Sequence, residues 1–309
     1  MQPLSFQSGI RPLRSRLAPT PSGLLHLGNG VNFVLTWLLV RRGGGSLRLR
    51  IDDGDCTRSR PAYVEDIFYQ LDWLGLDWDE GPQGVDDFFA RFSQRLRQER
   101  YLALRDELAR RELLYCCTCS RRRIRDQVGD GPYPGTCRDR GAVPAPDRAW
   151  RARVPADCRI GVGEREVELM RELGDFVVWR RDDLPAYQLA SLADDIDDRI
   201  TLVVRGEDLL TSTAAQLFLA AQLDERGFAA AEFLHHPLLS CPLGKKLSKS
   251  HGALSLAAMR QAGVGPATVY REAARLLGLP SECGDSLAGL LAAPAAVPWR
   301  GDRLPAGAA

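Results

Sequence analysis

Three groups of residues are placed where they can do chemistry. Lysine and arginine together number 41, yet only three are lysine, and all three stand in Lys245-Lys246-Leu247-Ser248-Lys249-Ser250. The remaining 38 basic residues (41 less 3) are arginine, and the abundance of Ala and Gly points to a coding bias that replaced lysine wherever charge alone was needed. Lysine kept in a single hexapeptide implies a task that a planar guanidinium performs badly. A compact, rotatable ammonium fitted against a polyphosphate is such a task. The second group is His26-Leu27-Gly28-Asn29, which follows the turn chemistry of Pro19-Thr20-Pro21-Ser22-Gly23. A helix that starts there offers free backbone N–H groups as an anion site. Gly28 lets the chain approach closely, and a histidine can meet a phosphate as its charge develops. A His-x-Gly turn by itself is ordinary loop sequence, and so is a basic run. Together they read as two clamps on one triphosphate. The third group is a run of cysteines: Cys116, Cys117, Cys119 and Cys137 lie close together, whereas Cys56, Cys158, Cys241 and Cys283 are scattered. In a reducing compartment such a cluster reads as metal-binding before it reads as disulfides.

These groups need elements to position them. Residues 14–18 are a short strand-like run, Val31 to Arg41 fits a buried helix, and Leu47, Leu49 and Ile51 alternate with Arg48 and Arg50 as a strand does. Strand, turn, helix and strand make a βαβ opening. Residues 94–115 carry Leu96, Leu104, Leu108 and Leu113 at helical spacing, so an amphipathic helix leads into the cysteines. Residues 129–165 look irregular, Asp175 to Trp179 and Ile200 to Arg205 read as strands, and the stretch from Ser286 reads as a weakly ordered tail. No internal repeat is visible.

Composition sets outer limits. The 309 residues suffice for one large domain or two modest ones. A formal net charge of +1 excludes a uniformly basic nucleic-acid coat, though not a local basic face. The longest apolar stretch, Phe33 to Val40, is far short of the roughly 20 residues a membrane span needs. Prolines and arginines interrupt the first fifteen residues where a secretory signal would require a continuous apolar run. A cytoplasmic protein with no membrane partner is the expectation.

The segment from Arg16 to Asn29, Arg-Leu-Ala-Pro-Thr-Pro-Ser-Gly-Leu-Leu-His-Leu-Gly-Asn, resembles the HIGH region of class I glutamyl-tRNA synthetases. Lys246-Leu247-Ser248-Lys249-Ser250 resembles their KMSKS loop. Residues 49–55, 174–180, 186–190 and 204–210 also match, in the family's order, so the likeness runs from about residue 14 to 255. Only about 55 residues follow the lysine loop, which suggests the family's truncated branch. That branch esterifies glutamate to queuosine in the anticodon loop of tRNA(Asp) instead of to a 3′ end. The cysteines agree with that branch, whose pattern Cys-x-Cys…Tyr-x-x-x-Cys is matched by Cys117, Cys119, Tyr133 and Cys137. Cys116 is an adjacent alternative to Cys117. Three thiolates and a phenolate complete a tetrahedral Zn²⁺ with no open position, so one structural zinc per chain is expected.

The resemblance implies a Rossmann-like α/β catalytic domain with a zinc-bearing insertion and a short helical C-terminal segment. Its halves would occupy residues 1–100 and 173–240, the insertion 101–172, the lysine loop with a helical segment 241–285, and a tail 286–309. His26 and Lys249 are the expected catalytic residues. Pro19, His26, Gly28, Asn29, Lys246, Ser248 and Lys249 would bind ATP with Mg²⁺. Arg16, Ala18, Thr20, Asp52, Tyr187 and Arg205 would bind L-glutamate, the two arginines capturing carboxylates. Asp52 stands where the family has glutamate, and Asn29 where it has the second histidine of HIGH. A monomer is expected. Two rival readings are a short synthetase charging tRNA(Glu) and a non-catalytic RNA-binding zinc protein; retention of His26 and the lysines argues against the latter.

Overall fold

The computed structural model describes residues 12–239 and 255–294. Two compact units emerge, one from the segments Met1–Leu96, Ile200–Asp208 and Glu232–Ala309, the other from Arg97–Arg199 and Leu209–Ala231. Residues 173–199 and 209–231, expected in the catalytic half, thus fall in the unit that carries the cysteines.

In the first unit the strand Arg14–Leu17 pairs in parallel with Ser46–Leu49, in register from Arg14↔Ser46 to Leu17↔Leu49. The crossover between them is the helix Leu27–Arg42, apolar around most of its circumference and buried at Gly30, Val31 and from Phe33 to Val40. Such a helix belongs inside a core, which explains why it extends four residues earlier than its most apolar stretch implies. A second parallel pair joins Leu202–Gly206 to Glu232–His236. The Thr201 N–H donates to the Arg14 carbonyl at 2.9 Å and the Ser15 hydroxyl to the Leu202 carbonyl at 2.7 Å, which sets the two pairs side by side. Strands covered on both faces read as continuous apolar runs, and Leu202, Val203 and Val204 are fully buried. Residues expected as tail include a helix, Leu287–Ala292, whose N-terminus Ser286 caps by accepting from the Gly289 N–H at 3.0 Å.

In the second unit the expected amphipathic helix is realised as Gln98–Arg110, with Tyr101, Leu104 and Leu108 buried. It leads to the strand Leu114–Cys117, which pairs antiparallel with Ala149–Ala152, itself paired to Val177–Trp179. The stretch expected to be irregular therefore contains a central strand, together with a hairpin of Arg159–Val162 and Arg165–Glu168. Its Gly, Pro and Asp richness reflects the turns between short strands. Among the described residues no helix is long and apolar enough to cross a membrane.

Candidate active site and metal cluster

Parallel strands end at a common edge, and in open α/β sheets ligands bind outside the carboxyl ends of the strands. Arg16 and Arg205 lie in strands of the first unit, 5% and 3% exposed, so neither is an ordinary surface arginine. Past the strand ends, the Arg50 N–H donates to the Leu17 carbonyl and the Asp52 N–H to the Pro19 carbonyl, each at 2.9 Å. The segment Ala18-Pro19-Thr20 is thereby zipped to the segment that bears Asp52. Asp52 reaches the expected edge with its carboxylate already engaged, accepting from Arg50 Nε at 2.7 Å and Nη2 at 3.2 Å in a buried pair. Its neighbour Asp53, fully buried, ties the same segment to the loop below. It accepts from the Ser93 hydroxyl at 2.6 Å and the Gln94 N–H at 2.8 Å.

His26 is the N-cap of the crossover helix, and its N–H donates to Asn29 Oδ1 at 3.0 Å. Asn29, expected beside ATP, thus closes the helix N-terminus. The His-x-Gly spacing has a steric side as well: a Cβ on Gly28 would lie 3.1 Å from His26 Cε1 and 3.2 Å from Nδ1, so any larger residue would press on the ring and shift it. His26 also forms a β-bridge with Ser255, and the Leu256 N–H donates to the Leu25 carbonyl at 2.8 Å. The chain leaving the lysine segment is therefore fastened at His26. Lys246, Ser248 and Lys249 themselves lie outside the described residues.

His236, at the end of its strand, places Nε2 3.2 Å from Asn32 Oδ1 and Nδ1 2.9 Å from the Pro237 carbonyl. Burial pushes its pKa down. Neither His236 nor Asn32 was among the residues expected. The signal for His236 was the pair His235-His236 upstream of the lysine segment; nothing in the sequence singled out Asn32.

Tyr187 belongs to the second unit. It opens the helix Tyr187–Asp197, is 39% exposed, and lines a cleft of about 500 Å³ with Tyr133, Arg151, Phe176 and Arg180. The other expected glutamate residues all belong to the first unit.

The expected metal ligands converge. The sulfurs of Cys117, Cys119 and Cys137 lie within 4.8 Å of one another, all buried. The Tyr133 hydroxyl is 3.4 Å from Cys117 Sγ and 3.6 Å from Cys119 Sγ, and it accepts from the Cys137 N–H at 2.9 Å. Strand alternation decides between the adjacent cysteines, because Cys117 faces this cluster whereas Cys116 is not part of it. Zn–S bonds of about 2.3 Å put tetrahedral thiolates roughly 3.8 Å apart, so the donor set fits a metal of that kind. Burial pushes the Cys137 thiol up, but hydrogen bonds from the Thr118 backbone, the Tyr133 and Thr118 hydroxyls and the Cys119 thiol bring it down to about 6. The Tyr133 hydroxyl is pushed well up by burial and by the three thiols.

A buried carboxylate braces this cluster. Asp175, fully buried, accepts from the Tyr115 hydroxyl at 2.7 Å, Arg138 Nη1 at 2.5 Å and the Val154 N–H at 2.9 Å. Gly174, at φ +67°, bridges Tyr133, and a Cβ there would lie 2.8 Å from the Tyr133 carbonyl oxygen. The Gly174-Asp175 dipeptide, read in the sequence as part of a catalytic-core match, thus pins the cysteine and tyrosine cluster. The Arg151 guanidinium lies 3.7 Å from the centre of the Tyr133 ring.

The family model described as tRNA synthetases class I (E and Q), catalytic domain, matches residues 12–138 and 158–288. The chain belongs to this family. Among curated relatives, it is 39% identical over 285 residues to a glutamyl-Q tRNA(Asp) synthetase of Nitratidesulfovibrio vulgaris, a match covering 86% of this chain and 87% of the relative. A glutamyl-Q tRNA(Asp) synthetase of Symbiobacterium thermophilum is 42% identical, with the same coverages. A glutamate–tRNA ligase of Anaeromyxobacter sp. strain Fw109-5 is 36% identical over 85% of this chain and 57% of its own length. Among solved structures, a glutamate–tRNA synthetase of Elizabethkingia anophelis superposes with a TM-score of 0.72 at 22% identity, covering 94% of this chain and 68% of its own; it shares the fold. The parallel strands and the crossover helix capped by His26 are therefore elements of a class I synthetase catalytic domain.

Proposed function

We propose that this protein activates L-glutamate with ATP and transfers it to the queuosine base in the anticodon loop of tRNA(Asp). The observation that carries this reading is the set of relatives named glutamyl-Q tRNA(Asp) synthetase, at 38 to 42% identity across most of their length. The strand-end geometry supports the chemistry. Buried Arg16 and Arg205 supply forked donors for the substrate carboxylates, with Ala18, Thr20, Asp52 and Tyr187 as further glutamate contacts. Asp52 would share its carboxylate between Arg50 and the substrate ammonium.

In the first step a glutamate carboxylate oxygen attacks the α-phosphorus of ATP and pyrophosphate departs. No protein nucleophile is needed, so catalysis is positioning together with stabilisation of phosphate charge. His26 at the helix N-terminus and Lys249 from the lysine loop supply that charge, assisted by Pro19, Gly28, Asn29, Lys246 and Ser248. Mg²⁺ accompanies ATP. The fastening of Ser255 to His26 supports two clamps acting on one triphosphate. In the second step a hydroxyl of the queuosine cyclopentenediol attacks the acyl carbon and gives up its proton, the ester C–O bond forms, the bond from the acyl carbon to the phosphate oxygen breaks, and AMP leaves with that electron pair. Cys117, Cys119, Tyr133 and Cys137 would hold one structural Zn²⁺ per chain, which closes the second unit and takes no part in the reaction. The protein acts in the cytoplasm, where its tRNA substrate is found, as a monomer.

Glutamate-dependent exchange of pyrophosphate into ATP by the purified protein, with no RNA present, tests the first step. Exchange with glutamate and not with glutamine or aspartate is the expected result. Absence of exchange would remove the enzymatic reading and leave an RNA-binding zinc protein.

A further inference from the structure

The helix Arg121–Val128 reads Arg-Arg-Arg-Ile-Arg-Asp-Gln-Val, and its four arginines are all exposed, Arg122 to 93% of its side chain. The placement works against the helix. Arg121, Arg122 and Arg123 fill the first turn, where no acidic residue stands and where the backbone dipole already presents positive charge. Arg121 and Arg125 are four apart, a like-charge pair on one face. The one compensating ion pair on the helix, Arg122 with Asp126, is stretched to 4.0 Å. Among the described residues the guanidinium groups of Arg121, Arg123 and Arg125 make no hydrogen bond or ion pair. Some exposed arginines elsewhere are paired, as Arg91 is with Asp87, Arg159 with Glu166 and Glu168, and Arg271 with Asp285, and others stand singly, as Arg140, Arg181 and Arg226 do; what sets this helix apart is four exposed arginines within five positions. Cations crowded against the positive end of a helix cost local stability, and such local conflicts are where function is sought.

The helix is also held firmly. Ser120 caps it by accepting from the Arg123 N–H at 3.1 Å, and Ile124 packs on the cysteine and tyrosine cluster. Cys119 precedes the helix, while Tyr133 and Cys137 follow it, so the metal cluster closes the loop that presents these cations.

We propose that the outward face of this helix is a docking surface for the phosphate backbone of the tRNA substrate. This rests on the tRNA-dependent reading above and assigns that reading a binding surface. Forked cations without carboxylate partners suit closely spaced phosphates. The exposed face carries no apolar or aromatic anchor of the kind found at the core of a protein interface. Because phosphate contacts position an RNA without reading its bases, this surface adds affinity and salt dependence but no preference for queuosine.

The triple variant Arg122→Glu/Arg123→Glu/Arg125→Glu tests the proposal, and its acidic residues near the helix N-terminus favour folding. Binding of fluorescent tRNA(Asp), with and without queuosine, is followed between 50 and 200 mM salt. The Glu variant should bind both tRNAs about 10- to 100-fold more weakly at low salt, with a log–log salt slope shallower by about 2 to 3. The matching triple Lys variant should stay within about threefold of the parent, because phosphates accept point charges. Pyrophosphate exchange without RNA should be unchanged in both. A Glu variant that keeps the parent's affinity and salt slope overturns the docking surface, as does loss of binding in the Lys variant equal to that in the Glu variant. Failure of exchange in the parent protein would instead strike the enzymatic reading, since the binding arms are scored without catalysis.

Discussion

The two units hold their chemistry in place by different means. In the first, Arg16, His26 and Arg205 ride on strands and a helix N-terminus whose positions follow from a deep apolar core, with Leu17, Val31, Leu35, Leu47 and Val204 essentially inaccessible. In the second, the cysteine and tyrosine cluster sits among short strands and turns, and polar ties fix it: Asp175 to Tyr115, Arg138 and Val154, and Gly174 to Tyr133. Burial of apolar surface is non-directional and tolerates small losses, whereas a donor set tolerates none. The first unit should therefore yield gradually to substitution, and the second all at once.

The largest effect expected is from removing the metal. The protein as purified should hold about one Zn²⁺ per chain, and structural zinc can contribute roughly 10 kcal/mol or more to a small fold. Cys119→Ser and Cys137→Ser should each lose the metal by elemental analysis and unfold the second unit in a separate, earlier thermal transition. Undiminished zinc in either variant would refute the ligand assignment.

Next comes the brace. Asp175→Asn leaves Arg138 and the Tyr115 hydroxyl without their carboxylate, and breaking a pair of this burial costs about 3 kcal/mol or more. Asp53→Asn in the first unit removes a carboxylate held mainly by a neutral hydroxyl and an amide, a loss of about 1 to 3 kcal/mol. Urea titrations of the two variants measure the difference, and equal losses would erase the contrast between the units.

The smallest effect on stability is expected of Lys249→Arg, which keeps the charge of the lysine segment and changes its shape. Adenylation should fall by about a hundred- to a thousandfold with the melting curve unchanged, the cost of one misplaced donor to developing phosphate charge. Adenylation near the parent's rate would undo the argument from lysine retention.

How much of this was legible in the sequence followed the same division. The parallel strands and the crossover helix were readable because period and polarity agree with burial, and the residues at the strand ends came from their place in the motifs. Asp52 stood at the expected position, but nothing local revealed that Arg50, two residues back in the segment that follows the strand, would already hold its carboxylate. Asp53 and Asp175 looked like motif residues and act as ties, because their partners Ser93 and Arg138 lie 40 and 37 residues away. The choice of Cys117 over Cys116 needed only strand alternation, once the strand was known. Composition misled in two places: turn-rich sequence concealed the strand Ala149–Ala152, and an Ala-rich tail concealed a helix signalled by Ser286 at its N-cap.

The acceptor of glutamate tests the central claim most directly. Purified protein is incubated with ATP, labelled glutamate and tRNA(Asp) that contains queuosine, the same tRNA without queuosine, or tRNA(Glu). A fourth sample has its 3′-terminal ribose blocked with the queuosine diol left intact. Label should enter only the two queuosine-containing samples, blocked and unblocked alike. Efficient charging of tRNA(Glu), or loss of label when the 3′ end is blocked, would contradict the account and restore a synthetase that charges the 3′ end.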